Sequence, residues 1–424
     1  MKAFRGEILS VPDDPAIAGP GAIRHFEDGL LVVEGGLIVY CGPFTEEYAE
    51  AETEPLPGLI VPGFVDAHVH YPQIECIASH GEQLMQWLER HIFPAEKAFA
   101  ERAHADSVAA FFLDELLRHG TTSALVFATV HAGSVDALFE AALERDMRIV
   151  SGKVLMDLGP EGLRDSVESG RADSEALIAK WRGRGRLGYA VTPRFVPTSS
   201  SEQLADAGAL VAAHPDVLMH THLSENPGEI AFVAERFPEA ADYLDVYDRF
   251  GLVGPRSVFA HCVHMSDRAL SRMTQAGAGI AFCPTSNLFL GSGLFDLAEA
   301  DRHGVGLGIG TDIGAGTSLS ILHTLGEAYR ICQLRGASLD PFRALHLATM
   351  GGARVMGIAD RVGGLLPGQE ADFILLDAAA TPLLARRCAG ASLHDRLFAL
   401  QVLGDDRAIA ATYLRGRRAY SRPG

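Results

Sequence analysis

Two hydrophobic periods divide the chain. Near its start, apolar runs flank a glycine pair: Leu30-Leu31-Val32-Val33, then Glu34-Gly35-Gly36, then Leu37-Ile38-Val39-Tyr40-Cys41. Short apolar runs bounded by turn residues read as strands, and paired glycines accept the backbone angles of a tight hairpin. Residues 1–60 therefore predict short strands and turns, whose apolar face needs a second layer. The far end of the chain offers one, since 371–377 and 409–414 are strand-like and a turn follows at Arg415-Gly416. A small β-sandwich domain built from both chain ends is expected. The alternative is two separate β extensions of a central domain.

Between these ends the pattern alternates. Strand-like runs fall at 61–66, 122–130, 148–156, 188–192, 217–221, 257–261, 279–283 and 306–310. Helical stretches separate them, such as 105–119, with Val108, Phe111, Phe112, Leu116 and Leu117 on a wide apolar stripe ended by Gly120, and 135–144. Eight strands with intervening helices predict an α/β fold, a (β/α)8 TIM-type barrel. The expected division is 1–60 for the first part of the small β domain, 61–362 for the barrel, and 363–424 for the return.

Composition narrows the partners. The 424 residues include 36 Lys plus Arg against 54 Asp plus Glu, a net charge of −18, which disfavours nucleic acid or an anionic membrane as the main partner. The six cysteines are isolated and form no CxxC pair, so neither a zinc knuckle nor a disulfide framework is indicated. Without an apolar run of signal-peptide or membrane-spanning length, a cytoplasmic protein is expected.

Four polar constellations fall where barrel strands should end. In Phe64-Val65-Asp66-Ala67-His68-Val69-His70, the strand period of two puts His68 and His70 on one side. Alone, a structural histidine pair is as good a reading as a metal site. In His220-Thr221-His222-Leu223-Ser224-Glu225, His222 can supply a third nitrogen. His220 shares its face but lies farther from the strand end. Glu225 can carry protons between water and substrate, or can stabilise the start of the next helix. His261 ends an apolar strand and can contact developing oxygen charge, whereas His264 falls in the following loop. Asp312 closes Gly306-Leu307-Gly308-Ile309-Gly310-Thr311, where glycines allow close approach; taken alone it reads as a helix cap. Together these residues converge on one barrel mouth. They offer three nitrogens, one carboxylate oxygen and room for an exchangeable water, the pattern of a mononuclear hydrolytic metal site.

The segment Pro62-Gly63-Phe64-Val65-Asp66-Ala67-His68-Val69-His70, His222 with Glu225, His261, Asp312 and the returning stretch 364–373 resemble the amidohydrolase superfamily over nearly the whole chain. Within it, several segments are similar to the branch that removes the exocyclic amine of guanine. These are His70-Tyr71-Pro72-Gln73, 152–157, Thr192-Pro193-Arg194-Phe195, Thr221-His222-Leu223-Ser224-Glu225-Asn226, 283–288 and 310–314. The resemblance implies that His68, His70, His222 and Asp312 bind one zinc ion per chain, with iron as the alternative. It implies catalytic roles for Glu225 as proton shuttle, for His261 at the attacked centre and for Asp312 as acceptor of the water's proton. Gln73, Arg194 and Phe195, with His222, Glu225 and His261, would hold the small-molecule purine, guanine. A homodimer is also implied. His220 departs from the pattern, standing where an amide or similar residue is expected, and the segment 157–160 is shorter than the bacterial pattern.

The side chains suit those roles. Arg194 presents fixed donors to a carbonyl edge, Gln73 offers both a donor and an acceptor, and Phe195 can stack on a ring. Each has an ordinary alternative: a surface arginine, a loop amide capping backbone, a core aromatic. Lys153 reads as structural or as a support behind the site. The rival readings are a relative acting on another purine-like, pterin or triazine heterocycle, and a scaffolding homologue that has lost catalysis.

Overall fold

The computed structural model describes residues 1–80 and 83–423. The first four strands are β1 (Lys2–Ser10), β2 (Arg24–Glu34), β3 (Leu37–Pro43) and β4 (Glu52–Pro62). The hairpin between β2 and β3 turns at Gly35 and Gly36, whose φ values of +60° and +85° suit glycine. The barrel strands are β5 (Phe64–His70), β6 (Thr121–Phe127), β7 (Arg148–Gly152), β9 (Gly188–Pro193), β10 (Leu218–Leu223), β11 (Ser257–His261), β12 (Gly279–Phe282) and β13 (Gly306–Ile309), while the short β8 (Val154–Leu155) extends the path of β7 along β9. The chain then returns through β14 (Phe373–Leu376), β15 (Ile409–Leu414) and β16 (Arg417–Ser421) to complete one sheet in the order β16-β15-β14-β4-β1-β2-β3. That sheet folds on itself. A bridge joins Leu37 to Glu370, and Phe4, Ile8, Leu31, Ile38, Phe373 and Tyr413 share one core.

The barrel strands pair in parallel, and every residue of β5 and β6 is buried, as expected for strands covered on both faces. Val65, Ala67, Leu125, Val150, Ala190, Leu218, Val258, Ala260 and Ala281 fill the barrel interior, while alternate residues such as Val126, Ile149, Val191, Met219 and Phe259 join the outer core with the helices. The Asp312 N–H donates to the His68 carbonyl at 2.9 Å, and the His70 N–H to the Ile313 carbonyl at 2.9 Å, so the segment after β13 closes against β5.

The eight barrel strands and the small sheet match the expected fold, with differences in detail. Val61 and Pro62 pair with β14 in the small sheet, so the first barrel strand begins at Phe64 rather than at residue 61. The expected strand 148–156 is broken at Lys153. Phe111, expected on the apolar stripe of 105–119, is 57% exposed on helix Arg102–Arg118. It lies about 100° round the helix from Phe112, which the core takes instead. Two helices, Pro382–Cys388 and Leu393–Leu403, interrupt the return to the small sheet. Leu397 and Leu400 join the barrel's outer core, and Gln401 Nε2 donates to the Pro341 carbonyl at 2.8 Å. Among the described residues, no helix is long and apolar enough to cross a membrane.

Candidate metal centre and pocket

The C-terminal ends of β5, β10, β11 and the segment after β13 meet at one mouth of the barrel. Strand alternation accounts for His220 and His222, which continue the inward series from Leu218. It does not account for the other ends. On β5, Val65 and Ala67 face inward, and a register shift between Asp66 and Val69 re-aims the strand so that His68 and His70 also face the centre. His261 and Asp312 adopt left-handed backbone, at φ +71° and +51°. That conformation costs a non-glycine residue about 1–3 kcal/mol and turns each side chain out of the regular alternation. Close approach at the last strand needs Gly310, where a Cβ would lie 2.9 Å from the His68 Cβ.

Four donor atoms crowd together at this mouth. His70 Nε2 lies 3.2 Å from His68 Nε2 and 3.1 Å from His222 Nε2. Asp312 Oδ1 is 3.1 Å from His68 Nε2 and 3.3 Å from His70 Nε2. Burial disfavours charged imidazoles, so His68, His70 and His222 are all pushed down, His70 to about 4. Burial pushes Asp312 up, but His68 and His70 outweigh it and hold the carboxyl well below its usual range. Three imidazole nitrogens and one carboxylate oxygen thus face one point. Bare lone pairs this close repel unless a proton or a metal cation lies between them. An ion at about 2.0–2.1 Å from each donor gives donor–donor separations of roughly 3.0–3.6 Å, which brackets the observed cage. The residues present fit a metal ion.

Partners set the other ring nitrogen of His222 and of His68, while His70 Nδ1 has no partner among the described residues. His222 Nδ1 donates to the Arg194 carbonyl at 2.7 Å, which leaves Nε2 bare for an ion. His68 Nδ1 shares a hydrogen bond of 2.8 Å with His220 Nε2, so His220 lies behind His68 rather than in the cage. Phe127 wedges among these rings, 4.6 Å from His70 and 4.7 Å from His222 between centroids. One donor atom each from His68, His222, His261 and Asp312 also falls within 4.8 Å of the others. His70 makes the tighter set, because His261 Nε2 stands 3.7 Å from Asp312 Oδ2 and 3.5 Å from Glu225 Oε2. His261 Nδ1 bonds Asn287 Oδ1 at 2.9 Å, and its Nε2 has no hydrogen-bond partner among the described residues.

Glu225 faces the same space. Its Oε1 accepts from the Ser292 hydroxyl at 3.0 Å. Burial first, then the charge of Asp312, push its carboxyl up to about 8, against the Ser292 hydrogen bond. The helix-start alternative for Glu225 falls to its neighbours: Asn226 caps helix Pro227–Arg236, and Glu229 accepts from the backbone N–H groups of Glu225 and Asn226. Lys153 is buried in an ion pair with Asp165, as its structural reading expects, and His264 Nε2 bonds the Ser292 carbonyl at 2.7 Å.

A pocket opens over the cage, lined by His70, Gln73, Arg194, Phe195, His222, Glu225, His261 and Asp312. The structure therefore brings every expected ligand and pocket residue to one place. It adds Leu84, Trp87, Leu88, Leu290 and Ala315 to the wall. Trp87 is buried, and its Nε1 has no partner among the described residues. Behind the wall, Glu96 binds both Gln73 and Arg194. Sequence reading missed this group. Leu84, Trp87 and Leu88 recur at the spacing of any amphipathic helix, and Glu96 follows Phe93-Pro94-Ala95, where an acidic first-turn residue has an ordinary reading.

Residues 59–419 match the model of the amidohydrolase family. A guanine deaminase of Escherichia coli (strain K12) is 48% identical over an alignment of 432 positions, covering 100% of this chain and 98% of that protein. The solved structure of an E. coli guanine deaminase superposes with a TM-score of 0.96 at 47% identity, covering all of both chains. A guanine deaminase from C. acetobutylicum, solved with guanine in its active site, superposes with a TM-score of 0.92 at 27% identity, covering 99% of this chain and 100% of that one.

Proposed function

Because the chain belongs to the amidohydrolase family, we propose that it hydrolyses guanine to xanthine and ammonia at the barrel mouth. The observation that carries this reading is a buried His3Asp cage on the floor of a pocket whose far wall offers Gln73 and Arg194 as hydrogen-bonding groups. His68, His70, His222 and Asp312 would hold the ion. One zinc ion per chain, with iron accepted by the same donors, supplies Lewis acidity that makes the attacking water more acidic. Asp312 takes a proton from that water as its oxygen adds to C2 of guanine. Glu225, protonated by virtue of its burial, gives a proton to the neighbouring ring nitrogen, so the ring holds the added electrons. His261, whose Nδ1 donates to Asn287 Oδ1, turns Nε2 toward the oxygen and in its imidazolium form donates to it as charge develops. Protons then pass to the exocyclic nitrogen, the C2–N bond breaks, and ammonia leaves. Gln73 and Arg194 meet the carbonyl and ring-nitrogen edge, and Phe195 borders the ring.

The test is direct. Purified, metal-analysed protein given guanine should release equal amounts of ammonia and xanthine. Glu225→Gln should keep its metal and lose roughly 10²–10⁴-fold in turnover. Near-full turnover by that variant would remove Glu225 from the mechanism. A panel of pterin, triazine and adenine-type rings separates guanine from neighbouring substrates. We place the protein in the cytoplasm, as six buried, unpaired cysteines suit a reducing compartment, and we expect a homodimer, which sedimentation measures.

A further inference from the structure

Glu96 takes no part in the steps above, yet it joins two residues that do. It lies on the short helix Phe93–Lys97 and is 1% exposed. Its Oε1 accepts a hydrogen bond from Gln73 Nε2 at 3.0 Å, and its Oε2 accepts one from the Arg194 guanidinium at 2.7 Å. Gln73 Oε1 accepts in turn from the backbone N–H of Gly314 at 3.1 Å. A carboxylate only accepts and a backbone N–H only donates, so the two ends of the Gln73 amide cannot exchange. One N–H and one lone pair of Gln73 remain for a ligand, in a fixed order, beside the remaining N–H groups of Arg194. The Arg194 guanidinium is 5.4 Å from the centre of the Phe93 ring, and the residue is 3% exposed. The Glu96 carboxylate therefore also cancels a cation buried in the pocket wall. Without it, the wall would attract anions.

We propose that Glu96 is the positioning residue that sets ligand specificity: it orders the Gln73 donor and acceptor and neutralises Arg194, so that the pocket selects an uncharged heterocycle bearing a carbonyl over an anionic ring. This rests on reading the site as a heterocycle deaminase. In Glu96→Gln, one end of the new amide is a donor and faces either Gln73 Nε2 or Arg194, donor against donor. Gln73 loses its fixed order and Arg194 its counter-charge. KM for guanine should rise roughly tenfold to hundredfold while kcat stays within a few-fold, because Glu225, His261 and Asp312 are untouched. Inhibition by urate, an anion at neutral pH, should strengthen relative to inhibition by neutral hypoxanthine. Glu96→Asp keeps the charge but is too short to bridge both partners, so KM should rise with the urate-to-hypoxanthine ratio unchanged. That variant also decides the matter if Glu96→Gln does not fold. Wild-type KM in Glu96→Asp, an unchanged inhibitor ratio in Glu96→Gln, or a fall in kcat alone would each overturn the proposal. Absence of ammonia release by the wild-type protein is a different failure, since it removes the deaminase reading itself.

Discussion

Ser292 holds Glu225 by a single hydrogen bond, and its direction can be tested. The hydroxyl donates to Oε1, which favours the carboxylate, while burial favours the acid and wins, at about 8. Glu225 is then protonated below about pH 8 and able to donate, and above that it is not. Turnover should fall as pH rises through about 8. Ser292→Ala removes the bond that favours the anion, so that falling limb should move upward by roughly half to one pH unit. A limb that stays put or moves down in a pH–rate profile rejects the assignment. At this scale, legibility followed chemistry. His68, His70, His222, His261 and Asp312 could be picked out because each sits at a strand end and is rare enough there to ask for a reason. Ser292 and Glu96 could not. Each acts through a partner 67 or 98 residues away, and neither has a local pattern. The left-handed backbone that aims His261 and Asp312 is equally invisible in a hydrophobic pattern.

The eight barrel strands were legible because a buried parallel strand is a near-continuous apolar run, and the helices between them follow the longer period. The bulge in β5 was not. Period-two reasoning put His68 and His70 on one side, but only the shift between Asp66 and Val69 turns that side inward from the phase set by Val65 and Ala67. Helices Pro382–Cys388 and Leu393–Leu403 escaped because the expected return over 363–424 rests on the strands 371–377 and 409–414 and assigns nothing between them. Their fit against the barrel has a measurable worth. Leu400 is fully buried in the barrel's outer core, so Leu400→Ala should cost about 2–5 kcal/mol in denaturant unfolding. A loss below about 1 kcal/mol would mean that this helix contributes little to holding the barrel.

Across the whole molecule, an ion held in the cage would tie stability to metal. A metal bound only by the folded chain stabilises it by mass action, about 4 kcal/mol at a thousandfold excess over its Kd. Stripping the ion with a chelator at neutral pH should lower the thermal midpoint by several degrees, and added zinc should restore it. An unmoved midpoint in a metal-free sample argues that the donors hold no resident ion. The fold's other long-range tie is the small sheet, in which β4 lies between β1 and β14. Leu59, Ile60 and Val61 pair with Leu376, Leu375 and Ile374, residues that a ribosome adds only after the entire barrel has been made. Until then a nascent chain carries an apolar strand edge with no neighbour, the kind of edge to which other chains adhere. Its early life therefore calls for a holding chaperone or a rapid finish to translation, and a product cut short before residue 373 should precipitate rather than accumulate as a usable barrel.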